Sequence, residues 1–98
     1  MIRGTTPTNV FNVNLDLTNA DVIYITYAQQ NKPIIEKAIN DIVVEPDKLT
    51  VKLTQQETLK LQVRACEIQI RARFPDGTAI ASNIIQTTAR KILKGGVI

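Results

Sequence analysis

The sequence predicts an all-β protein, an immunoglobulin-like sandwich of two sheets and about seven antiparallel strands with one short helical corner near residues 55–60. Three observations predict it. Apolar and polar residues alternate with a period of two through several short segments, turn chemistry recurs at intervals of roughly 8–12 residues, and no long segment has helical periodicity. Composition agrees, because the 98 residues are 44% hydrophobic and 21% charged, which suits one globular domain with a single core. Ile, Val and Thr dominate, and Trp is absent. β-Branched side chains fit a pleated, half-buried surface better than a helix.

Cys66–Phe74 is the clearest element. Cys66, Ile68, Ile70, Ala72 and Phe74 are apolar, with Glu67, Gln69, Arg71 and Arg73 between them, so one face is dry and the other wet. Pro75-Asp76-Gly77-Thr78 supplies a reversal, and Thr78–Gln86 follows as the second arm of a long hairpin. Earlier in the chain, Val10–Leu17 alternates with Phe11, Val13, Leu15 and Leu17 on one face. Thr18–Asp21 breaks it. Val22–Tyr27 is strongly β-prone, Pro33–Ala38 pairs back on it, Ile42–Glu45 is a short strand, and Leu49–Leu53 alternates again after the turn at Pro46–Lys48. Thr54-Gln55-Gln56-Glu57 has the form of a capping box, in which a threonine oxygen and a glutamate exchange hydrogen bonds with backbone N–H groups. It opens a one- or two-turn helix that plugs a corner with Leu59. Ala89–Leu93 extends the last strand. The domain is expected to span residues 10–94, between an extended Thr/Pro-rich arm at 1–9 and a flexible tail at 95–98.

Catalytic chemistry is sparse. There is no histidine, so the usual general base and the commonest metal ligand are missing. The single cysteine, Cys66, lies on the dry face of its strand and reads as a small buried hydrophobe. The carboxylates fall in turns and on wet faces, without the spacing of a calcium loop, and Gly95-Gly96 lacks the context of a phosphate loop. No catalytic, cofactor or metal site is expected, no small-molecule substrate is implied, and the protein is read as non-enzymatic.

Charge is distributed unevenly. Residues 1–59 carry five basic and seven acidic side chains, net −2, whereas residues 60–98 carry seven basic and two acidic, net +5. Arg71, Arg73, Arg90, Lys91 and Lys94 are candidate partner contacts on a basic face, and Val97 and Ile98 form an apolar tip that could add to a neighbouring sheet. Nucleic acid is the less favoured partner, because the four aromatic residues do not interleave with the arginines as stacking platforms. The uneven charge suits head-to-tail or heteromeric packing, self-association included. No apolar run reaches the roughly 20 residues needed to span a bilayer, and the first residues have no signal-peptide core.

Several stretches together carry a resemblance: Arg3-Gly4-Thr5-Thr6-Pro7-Thr8, Tyr24-Ile25-Thr26-Tyr27-Ala28-Gln29, Leu53–Leu59, the Asp76-Gly77 turn and Leu93-Lys94-Gly95-Gly96-Val97-Ile98. The chain resembles small proteins encoded by tailed bacteriophages and prophages of Gram-positive bacteria, which are similar to immunoglobulin-like modules such as the N-terminal domains of baseplate and receptor-binding proteins. The resemblance implies a virion structural protein, made in the host cytoplasm and incorporated at the tail, the baseplate or the capsid surface, with other phage structural proteins as partners. Two alternatives stay open: a host-surface module binding carbohydrate or an acidic polymer, and a small intracellular nucleic-acid-binding phage protein.

Overall fold

The computed structural model describes residues 1–98. The chain forms β1 (Thr8–Asn12), β2 (Val22–Gln29), β3 (Lys32–Ala38), a 3-10 turn (Ile39–Asp41), β4 (Ile42–Val44), β5 (Lys48–Lys52), helix α1 (Gln55–Leu59), β6 (Ala65–Arg73), β7 (Ala79–Ala81) and β8 (Ile85–Thr88). All strand pairs are antiparallel. One sheet has the order β1-β5-β4; the other runs β3-β2-β6, with β7 and β8 both on the far edge of β6. In immunoglobulin terms β1, β5 and β4 stand in the places of strands B, E and D, and β3, β2, β6 and the β7/β8 arm in those of C′, C, F and G. No strand takes the place of A on the free edge of β1. The sheets share no strand pair, so the expected sandwich forms rather than a closed barrel.

The two-residue rhythm explains the core. On β2, Ile23, Ile25 and Tyr27 are fully buried, and on β6 Cys66, Ile68, Ile70 and Ala72 face them from the neighbouring strand. From the opposite sheet come Phe11, Leu49, Val51 and Ile42. Gln30 and Asn31, both at positive φ (52° and 62°), make the two-residue β2–β3 hairpin turn whose twist matches that of the flanking strands. The chain passes from β3 to β4 through Ile39–Asp41 and so switches sheets along one side of the sandwich.

Within the strands and the helix, the structure departs from the sequence reading in four places, each for a local reason. β1 ends at Asn12 rather than Leu17, because β5 starts at Lys48 opposite Asn12 and only Val13 N–H finds a further carbonyl, that of Asp47. Beyond it, Asp16 Oδ1 accepts from the N–H and hydroxyl of Thr18, a local turn that competes with strand pairing. Thr78–Gln86 is two strands rather than one, which brings the total to eight. Ser82 N–H donates to Ile70 O and Ser82 Oγ accepts from Ile70 N–H, after which the register shifts by one residue opposite Gln69. This bulge turns Ile84 outward and places Ile85 opposite Ile68. At the helical corner the capping box forms as expected, but Thr58 and Leu61 are the buried plug and Leu59 is half-buried. Finally, the last strand stops at Thr88, since β6 begins at Ala65 and offers nothing beyond Arg64 O, which takes the Ala89 N–H.

The first residues are not the extended arm the sequence suggested: the chain turns at Arg3-Gly4, where Thr5 Oγ1 donates to Ile2 O, and packs against the body of the domain. Met1 O accepts from Arg90 N–H, Arg3 N–H donates to Arg90 O, and Leu53 N–H donates to Pro7 O, so this segment closes the side between β8 and β5 at the α1 end. The Arg3 guanidinium donates to the carbonyls of Leu59 and Leu61, which the end of α1 leaves free. Gly4 sits at φ +75°, a left-handed backbone conformation that strains any residue with a Cβ, and a Cβ there would also have to displace the end of the Ile92 side chain.

Candidate protein-interaction surface

The residues singled out from the sequence separate into two groups. Arg71 and Arg73 lie on the outer face of β6, exposed, with Tyr24 and Val22 opposite them on β2 and Ala81 and Ala79 opposite them on β7. Arg73 Nη2 is 3.3 Å from Asp21 Oδ2, an exposed pair, while Arg71 has no carboxylate partner. Glu67 shares the face, which is therefore mixed in charge. Arg90, Lys91 and Lys94 lie past the other end of β6, because antiparallel pairing sets Thr88 against Ala65. Eight residues of strand separate the groups, about 26 Å at 3.3 Å per residue. The expected basic face is two patches at opposite ends.

The tail group is the more exposed. Leu93 is 96% and Ile98 90% accessible, and Val97 also faces water. Its tip is held by the Gln55 side chain, whose Oε1 accepts from Ile98 N–H at 2.9 Å and whose Nε2 donates to Ile98 O at 3.3 Å. Gly96 takes a positive φ of 81° at the bend before it.

Sequence reasoning missed a groove at the opposite end. Between the Val13–Leu17 segment and the β7/β8 arm, Val13, Leu15, Leu17, Ile70, Ile80 and Ile85 line an open cleft of about 380 Å³. Here the sheets part, because neither β1 nor the β7/β8 arm has a partner on its outer edge and the first residues close only the α1 end of that side. The adjacent apolar pair Ile84-Ile85 was the available signal, since strict alternation cannot bury both. A second concavity of about 250 Å³ lies on the outer face beside Thr26, Gln69, Arg71 and Ile84.

The interior polar groups serve the fold. Lys37, on the inner face of β3, reaches Glu57 at 2.8 Å, and the same carboxylate oxygen accepts the Thr54 N–H of the capping box. Partial burial pushes the Glu57 carboxyl up, but the bond from Lys37, the backbone bond from Thr54 and the lysine charge outweigh it and hold it below the ordinary carboxylate range. Burial pushes the Tyr27 phenol up to about 12, although its oxygen accepts from Asn9 Nδ2 at 2.7 Å. Burial also raises the Cys66 thiol, which therefore stays protonated and unreactive at neutral pH. No three His, Cys, Asp or Glu side chains converge as metal ligands would. No helix is long and apolar enough to cross a membrane.

Comparison with protein-family models, with curated proteins and with solved structures returned no match.

Proposed function

We infer that this protein is a non-enzymatic structural module that works through protein–protein contacts, incorporated into a bacteriophage particle at its tail, baseplate or capsid surface. The carrying observation is the tail, where Leu93, Val97 and Ile98 stand in water beside Arg90, Lys91 and Lys94. Exposed apolar side chains next to unpaired charge suit a contact completed by another protein, the apolar tip supplying burial and the cations supplying orientation. The likeness of the Arg3–Thr8, Tyr24–Gln29, Leu53–Leu59 and Leu93–Ile98 stretches to small phage proteins supports placing that contact in a virion. Weak contacts repeated by particle symmetry would suffice for retention. Mass spectrometry of purified virions from a host that produces this chain tests the reading. It expects the chain at a fixed ratio to a major structural protein; a chain confined to the soluble lysate overturns it.

A further inference from the structure

We propose that copies of this chain associate head to tail, the segment Lys94–Ile98 of one copy lying in the cleft between Val13–Leu17 and the β7/β8 arm of the next. The proposal names a second copy as one partner of the tail, and it stands on the cleft and the tail alone, whether or not the protein enters a virion. The first ground is complementarity of surface. The cleft is apolar and open, its inner-face residues Leu15 and Ile85 are 48% and 40% accessible, and at about 380 Å³ it has room for side chains, where a water occupies about 30 Å³. The tail offers Val97 and Ile98 after a Gly95-Gly96 hinge.

The second ground is charge. Asp16 and Asp47 flank the cleft at Leu15–Leu17 and Val13, and Asp76 lies in the turn before β7; none belongs to an ion pair. The tail brings Arg90, Lys91 and Lys94. These acids surround an apolar cleft at the end of the molecule that also carries Arg71 and Arg73 on the outer face of β6, and the basic tail lies at the other end of a body 47 Å long. Within one copy the tip is fastened to α1, at the end away from the cleft. The third ground is the free outer edges of β1 and the β7/β8 arm, which offer unpaired backbone groups to an extended segment. Unlike patches joined this way make a heterologous interface, which continues into rings or filaments rather than stopping at a two-fold dimer.

Sedimentation velocity of the purified chain over a range of concentrations tests this. Mass-action growth beyond a dimer is expected, weakening as salt is raised. Removing residues 94–98, or making Leu15→Asp in the exposed cleft wall, should each raise the dissociation constant by about tenfold or more. Mixing the two variants is decisive. The shortened chain keeps its cleft and the Leu15→Asp chain keeps its tail, so the mixture should form a 1:1 pair that grows no further. Circular dichroism checks that each variant is folded, and the truncation alone carries the test should Leu15→Asp lose structure. A chain that remains monomeric throughout, or a shortened chain that associates as well as the intact one, overturns the proposal.

Discussion

Ile68 shows what a single position decides. It is 4% accessible on the middle of β6, opposite Tyr27 on one side and Ile85 on the other. Ile68→Asp would leave a carboxylate between the sheets, where the buried cation Lys37 is already paired with Glu57, a cost of at least about 3–5 kcal/mol against a total stability of roughly 5–15 kcal/mol. The variant should be unfolded by near-ultraviolet circular dichroism, whereas Arg71→Glu, on the wet face three residues along, should keep the wild-type spectrum. Glu57 acts through its charge. Its folded-state carboxyl lies below the ordinary value of 4.5, so it stabilises the fold above that pH and ceases to do so as pH falls through the folded value. Asp16 and Asp76 are also held low, by hydrogen bonds from Thr18 and Thr78, and titrate in the same sense. Glu57→Gln should therefore lower stability by about 1–3 kcal/mol at neutral pH, by losing a charged hydrogen bond to Lys37, and should flatten the fall in urea midpoint below pH 5 without abolishing it.

Among elements, the β7/β8 arm separates what the sequence could say from what it could not. Cys66–Arg73 was legible because each side chain answers only to the face it occupies, and the alternation of burial along β6 follows the alternation of residue type. The bulge at Ser82 was not legible, because a hydroxyl that replaces a ladder carbonyl as the partner of Ile70 N–H looks in sequence like any strand serine. Val10–Leu17 misled for a related reason: side-chain rhythm persists to Leu17, but a strand lasts only as long as its neighbour supplies hydrogen bonds, and β5 begins at Lys48. The bulge makes its own prediction. Ser82→Ala leaves the Ile70 N–H without its acceptor, so it should cost about 1–3 kcal/mol in denaturant unfolding and speed exchange of that amide, while Asn83→Ala next to it should cost less.

At the scale of the whole molecule, topology decides which surfaces meet. Arg71, Arg73, Arg90, Lys91 and Lys94 are near one another in sequence, yet the turn between β6 and the β7/β8 arm sends the chain back past the start of β6, and the cations end up at opposite ends. Sequence proximity therefore suggested one basic face where the topology makes two patches. The same topology leaves the sandwich unclosed where β1 and the β7/β8 arm part, an opening whose one trace in the sequence is the adjacent pair Ile84-Ile85. β2 and β6 are the only strands paired on both sides within the larger sheet, and everything else is laid against them. Native-state hydrogen exchange measures that arrangement most directly. The amides of Ile23–Tyr27 and Cys66–Ala72 should exchange slowest, at rates set by global unfolding, followed by the edge strands β1 and β8, with Lys91–Ile98 fastest. Exchange from the centre of β6 as rapid as that from the tail would contradict a fold built on these two strands.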